Sequence, residues 1–378
     1  MESFEYLIVG SGPAGVAAGR RLGGAGTCIV DIGVEPGAGF AFDSLAEALN
    51  AGAVRDLLGR NWEMLDNIAD PLKRHAKVRS SGLAHVLNGE PFDVVGPDGR
   101  ILVTGNASAA AGGAANVWGA QLMRYTDADL LEVGDWPITC EDLAPYYADL
   151  EAEIGLCGEV DDLAPFLGPV NGMMPPPPMV PAARYLLDQY ANRRKRHAGG
   201  GLVLGRPRLA LLTRPHRGRD VYPFGQTEFF TCGHPGLYTP RLTLDDLRKR
   251  GCVTYRAGLK ALSLVEHATH VDLELLEIAT GERHKIRAKH VLLAAGTIQT
   301  ACLLLRTRGQ PGITLPFMDH PPTLLPLFIP ALFGHAVSGP AYPVQLAGTI
   351  ESFDGSAMIS LYYPGGMLWT DLLPDVPL

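Results

Sequence analysis

The apolar run Tyr6-Leu7-Ile8-Val9 is short and unbroken, as in a strand buried on both faces. It stops at Gly10-Ser11-Gly12-Pro13-Ala14-Gly15. The alanine-rich stretch that follows predicts a helix to about Leu22, ended by Gly23, Gly24 and Gly26. Cys28-Ile29-Val30 predicts a second buried strand, closing on Asp31. Residues 45–65 predict a helix. Residues 92–95 and 101–103 are β-prone and flank Pro97-Asp98-Gly99, a hairpin turn. Thr139 and Asp142 predict a capped helix start, with Leu143, Tyr146, Tyr147, Leu150 and Ile154 at helical spacing and Gly155 as the stop. Five prolines between Met173 and Pro181 predict extended chain. Thr243 with Asp246 predicts the cap of a further helix, closed by Gly251. Strands are predicted at 253–255, 261–265 and 271–278, with Thr280-Gly281 as a turn. A late buried strand at 290–296 leads into a helix at 298–306, and 357–361 reads as one more strand.

The order is therefore β-α-β, then mixed segments, then a meander feeding a late strand and helix. It predicts an α/β fold: a Rossmann-like, doubly wound domain interrupted by insertions, without internal repeats.

Composition narrows the function classes. Of 378 residues, 47% are apolar and 19% charged, enough to bury a sizeable core and unlike a disordered chain. A net charge of −8 argues against binding a phosphate backbone, so no nucleic-acid partner is expected. The basic run Arg193-Arg194-Lys195-Arg196-His197 reads as a solvated helix end. Six scattered cysteines form no C-x-x-C and no zinc-ligand spacing, which predicts reduced thiols, no metal site and a cytoplasmic protein. No uncharged apolar run reaches the roughly 18 residues of a spanning helix, and the apolar stretch 321–334 is cut by four prolines. No signal peptide is read at the N-terminus, and no membrane association is expected.

The candidate chemistry sits at the N-terminus. Gly10 permits a tight turn, Gly12 lets backbone approach a pyrophosphate, and Gly15 lets the helix pack on the strand. Ser11, Pro13 and Ala14 complete the turn, and the helix start supplies N–H groups and dipole for anionic phosphates. Asp31, 21 residues after Gly10, is placed to accept from ribose hydroxyls. A bare G-x-G-x-x-G is common; here strand, turn, helix, strand and acid all fall in register. The acid disfavours the 2′-phosphate of NADP but does not separate NAD from FAD.

Four stretches, in order, resemble the glucose–methanol–choline (GMC) oxidoreductases, closest in look to the sugar-oxidising, pyranose-oxidase-like bacterial branch. They are Tyr6 to Gly15 with Val30-Asp31-Ile32-Gly33; Gly112-Gly113-Ala114-Ala115-Asn116-Val117-Trp118-Gly119; Trp136-Pro137-Ile138 with Asp142-Leu143-Ala144-Pro145-Tyr146-Tyr147; and Ala288 to Thr300, followed by Leu303-Leu304-Leu305-Arg306 and Met318-Asp319-His320-Pro321. The resemblance implies FAD and oxidation of an alcohol by hydride transfer to flavin N5, on a small-molecule alcohol or sugar. It adds Gly113, Asn116, Val117, Trp118, Gly119, Ala295 and Gly296 to the cofactor-binding set. No His lies between residues 105 and 124, so noncovalent FAD is expected. It also implies a FAD-binding domain from 1–35, 90–125 and 225–320. Segments 36–89, 126–224 and 321–378 would form insertions and a substrate domain built on an antiparallel sheet.

The family's catalytic His lies on a late H-x-x-G-T-x-R-M-G segment that does not occur here. No catalytic residue is therefore assigned. The chain reads as a fragment, as a half whose base comes from a second polypeptide, or as a short protein of altered activity. His320, His216 and His234 are weighed as substitute bases, while His267, His270, His284 and His290 are read as solvated.

Overall fold

The computed structural model describes residues 1–35, 86, 89–134, 136–170, 172–224, 234–310, 312–318, 325, 327–335, 341–352 and 355–363. Two expectations, the helix at 45–65 and the placement of Asp319 and His320, lie outside the described residues.

In chain order the strands are β1 Glu2–Val9, β2 Thr27–Val30, β3 Pro91–Val95, β4 Ile101–Asn106, β5 Leu202–Gly205, β6 Thr254–Arg256, β7 Leu259–Glu266, β8 Val271–Glu277, β9 Arg283–Leu293, β10 Val344–Ser352 and β11 Gly355–Tyr362. The described residues form two compact units. The first is drawn from Met1–Ala41, Gly52–Trp118 and Thr239–Thr323, the second from Gly119–Tyr238 and Leu324–Leu378.

The first unit is α/β, as the pattern of elements predicts. Its six-stranded sheet runs β6-β2-β1-β9-β8-β7. The strands β6, β2, β1 and β9 are mutually parallel, and β8 and β7 continue antiparallel. Helix α1 (Pro13–Leu22) connects β1 to β2. Apolar alternation along β1 separates two cores. Leu7 and Val9 pack with Cys28, Val30, Leu273, Leu275 and Leu303. Ile8 packs on the other side with Val16, Ile29, Leu244 and Leu247. Leu7, Ile8 and Ile29 are fully buried, and each contributes about 1.5–3 kcal/mol by area. The first residue of β7 returns to the end of β2, where Leu259 N–H donates to Asp31 O at 2.9 Å. The hairpin β3–β4 turns through Gly99 at φ +79°, as Pro97-Asp98-Gly99 predicts.

Two predicted boundaries move. The helix Pro240–Lys249 starts behind Thr239, not Thr243, because Pro240 takes the first helical position; Thr243 is buried inside it. The late strand β9 runs Arg283–Leu293 and is not buried throughout: His290 is exposed and Val291–Leu293 half-buried. It is long because Ile286–Ala288 pair with β8 on one side and with Glu2–Phe4 of β1 on the other. Ala294, Ala295 and Gly296 have left the sheet.

The second unit holds the antiparallel sheet β11-β10-β5 and the helix Cys140–Ile154. That helix opens with the Thr139–Asp142 capping box read from sequence and stops at Gly155. Its apolar spacing does not make it a core helix: only Ile154 is buried, and Tyr146 is exposed. Two buried arginines brace this unit. Arg206 donates to Pro177 O and Arg208 to Leu167 O, both at 2.6 Å.

Candidate functional site

The central strand β1 leaves the sheet at Gly10, whose φ of +101° favours glycine. A Cβ there would lie 2.5 Å from Ala294 O, so the ends of β1 and β9 touch with no room for a side chain. A Cβ on Gly15 would lie 1.9 Å from Gly10 O, which is how the helix seats on the turn. Gly12 is different. Nothing lies within 4 Å of its Cβ position, and it caps α1 with no side-chain hydrogen bond. Pro13 and Ala14 are exposed at that helix start. The protein thus leaves an open cradle before the first turn of α1, where N–H groups favour an anion.

Ser11 is the hub of the turn, a role its place in the motif does not disclose. Its N–H donates to Asp31 Oδ2 at 3.0 Å, and its hydroxyl donates to the same oxygen in a short contact. The hydroxyl also accepts from Gly112 N–H at 2.9 Å. One hydroxyl therefore joins the glycine turn, the acid after β2 and a loop more than a hundred residues later. Burial pushes the Asp31 carboxyl up, while hydrogen bonds from Ser11, Gly33 and Ile32 oppose the rise.

The loop forms a single 3₁₀ turn, Gly113–Val117. Gly112 and Gly113 both have positive φ, +90° and +68°, and a Cβ on Gly113 would lie 3.3 Å from Gly12 Cα. The two glycine motifs are thus in contact. Asn116 is buried and turned into its own loop, with Nδ2 donating to Ala111 O at 2.9 Å and Gly113 O at 2.8 Å. Val117 and Trp118 are half-buried. Gly119 begins the stretch assigned to the second unit. Ala295 is half-buried, and Gly296 is open, capping the helix Thr297–Thr307.

Tyr255, on β6, was not legible as a site residue, since nothing distinguishes it from any strand aromatic. A Cβ on Gly33 would lie 2.3 Å from its hydroxyl oxygen. That oxygen is buried and makes no hydrogen bond of good geometry among the described residues. Burial and the charge of Asp31 push the phenol up, and Ser11 lies near enough to offset part of the rise. Arg248 stacks over its ring at 5.0 Å and pairs with Glu35 at 3.1 Å.

Of the weighed histidines, His216 and His234 are engaged elsewhere. His216 Nε2 lies 2.9 Å from Ala152 O, and His234 Nδ1 accepts from Gly236 N–H, with burial pushing its pKa down. His290 stacks on Tyr6, and His284 lies 3.4 Å from Glu277. No helix among the described residues is long and apolar enough to cross a membrane.

A mixed sheet whose central parallel strand passes through a glycine turn into an open helix start, beside an acid at the next strand's end, has the layout of a Rossmann-like α/β fold. Comparison with known proteins narrows this. No protein-family model matches the chain. It is 30% identical over 190 residues to 6‴-hydroxyparomomycin C oxidase of Streptomyces lividus, covering 46% of this chain and 31% of that protein. It is 30% identical over 191 residues to 2-methyl-1,2-propanediol dehydrogenase of Mycolicibacterium austroafricanum (47% and 31%). It is 26% identical over 218 residues to paromamine 6′-oxidase of Streptomyces fradiae (54% and 36%). The matches thus span 31–36% of these curated relatives' length. A solved fungal aryl-alcohol oxidase superposes with a TM-score of 0.47 at 14% identity, covering 81% of this chain and 48% of that one. The named relatives are two oxidases and a dehydrogenase.

Proposed function

We propose that the chain binds FAD noncovalently and serves the oxidation of an alcohol group on a sugar, glycoside or similar small molecule. The observation that carries this is the convergence of Gly12, Ser11, Asp31 and Gly112–Gly113 on one open cradle. The names of the relatives, two aminoglycoside oxidases and a diol dehydrogenase, support the substrate class.

Bound flavin would supply the hydride acceptor. The first turn of α1 would hold the pyrophosphate, with Gly12 giving backbone access. Asp31, already fixed by Ser11, would take ribose hydroxyls on its remaining lone pairs. The small residues at 112–115 would let backbone N–H groups reach the ring edge, with Trp118 as a wall. Asn116 would act indirectly, by holding the turn in shape.

A second reading is a FAD-binding half that works with a partner segment carrying the base. It is favoured by the contacts of the first unit's described histidines. His267 and His270 face Asp272, His284 faces Glu277, and His290 stacks on Tyr6. None of these contacts involves the glycine turn, Asp31 or the 112–118 loop.

The test is reconstitution of the purified chain with FAD, read by flavin fluorescence quenching, followed by anaerobic addition of sugars and alcohols. Uptake of one flavin is expected. Bleaching by the lone chain supports the enzyme, and bleaching only after a second chain is added supports the half. A chain that takes up no FAD overturns both.

A further inference from the structure

The turn between β7 and β8 gathers three donors that the flavin reading does not use. His267 N–H donates to His270 O at 2.8 Å, closing a tight turn that sets the two histidines opposite each other. Their rings stack with centroids 4.4 Å apart, inclined by 22°. Asp272 is the second residue of β8, and His270 is the last residue of the turn before that strand. His267 Nε2 lies 3.3 Å from Asp272 Oδ2, and His270 Nε2 lies 3.7 Å from Asp272 Oδ1. One ligand atom from each of the three side chains falls within 4.8 Å of the others. The histidines are therefore not simply solvated, as the sequence suggests.

We propose that His267, His270 and Asp272 form a binding site for a borderline divalent transition-metal ion, with Zn²⁺ as the type case. Two imidazoles and a carboxylate suit this class of ion. Metal–ligand bonds of about 2.0–2.1 Å place tetrahedral ligand atoms roughly 3.3 Å apart; here the imidazoles lie 3.3 Å and 3.7 Å from the two different oxygens of Asp272, and the three ligand atoms fall within 4.8 Å of one another. His270 Nδ1 lies 3.1 Å from Thr269 Oγ1, a hydroxyl able to accept from Nδ1–H; in that tautomer the Nε2 lone pair is left for the ion. That Nε2 is buried and has no hydrogen-bond partner among the described residues. Arg287 grips Asp272 from β9 through Nε–Oδ1 at 2.7 Å and Nη2–Oδ2 at 3.0 Å. Each carboxylate oxygen keeps a further lone pair beside that hydrogen bond. The guanidinium charge opposes a cation, so the ion should bind more weakly than at the same ligands without it. His267 is exposed enough to admit the ion, and water would complete the coordination.

The test uses the full chain with any histidine tag removed, titrated with Zn²⁺ alone by equilibrium dialysis and with Co²⁺ by visible absorption. One ion per chain is expected, with the d–d bands of a low-coordinate Co²⁺ site. His267→Ala and His270→Ala should each abolish saturable binding, while Thr269→Val should weaken it about 10–100-fold through the second shell. His284→Ala, in the separate Glu277–Glu282–His284 cluster, should leave it unchanged. Circular dichroism confirms that each variant is folded. Unaltered binding in folded His270→Ala, or no saturable binding at micromolar metal, overturns the site. Neither readout depends on flavin.

Discussion

At the scale of single residues, two glycines of one motif do opposite jobs. Gly15 is required by the protein, since its Cβ position lies 1.9 Å from Gly10 O. Gly12 has open space there and a φ of −63° that any residue adopts. Gly15→Ala should therefore lower stability by about 1–3 kcal/mol through overpacking, read in urea melts. Gly12→Ala should stay within about 0.5 kcal/mol of the parent yet bind FAD more weakly. Equal melting of the two variants would refute this division.

Asp31 makes a pH-dependent case. Burial raises its carboxyl above the ordinary value of about 3.9. The folded chain then holds that proton more tightly than the unfolded one. The resulting stability is complete below the ordinary value and is lost as pH climbs through the raised one. Asp31→Asn should stabilise the FAD-free chain more at neutral pH than near pH ~4, while weakening FAD binding. Thermal melts at the two pH values check the first, and fluorescence titration the second; an effect independent of pH would contradict it.

At the scale of elements, short-range signals were readable and long-range ones were not. The Thr139–Asp142 box starts its helix as its spacing indicates, because a capping box is completed within four residues. Thr243 and Asp246 carry the same spacing, yet Pro240 starts that helix earlier and Thr243 ends up buried. The helix Cys140–Ile154 buries only Ile154 despite its apolar spacing, since periodicity says which face is apolar and not whether anything covers it. The 112–118 loop shows composition in the sequence but not its internal lock. Asn116→Ala should cost about 1–3 kcal/mol by removing both hydrogen bonds of this buried amide, and should loosen flavin binding with it. Hydrogen exchange at the amides of 112–117 would report the change, and unchanged protection would count against the lock.

At the scale of the whole molecule, the nucleotide fold is assembled from distant pieces. The parallel core needs β9 beside β1, and β6 beside β2. If FAD binds only the folded chain, flavin at about 100 times its Kd should add roughly 2.7 kcal/mol of stability. A chain whose denaturation is indifferent to FAD would remove the basis for the proposed function.

The sequence by itself determined the strand–turn–helix–strand unit and the acid that follows it. Those rest on steric limits at glycine and on burial patterns that act over a few residues. Only the tertiary structure decided that Ser11 joins Asp31 to Gly112, that Gly113 rests on Gly12, and that Tyr255 stands beside them. It likewise decided that two histidines of a hairpin turn face an aspartate held from the next strand. These are contacts between residues far apart in sequence or on separate strands. Hydrogen bonding and packing set them once the sheet is formed, and no local pattern encodes them.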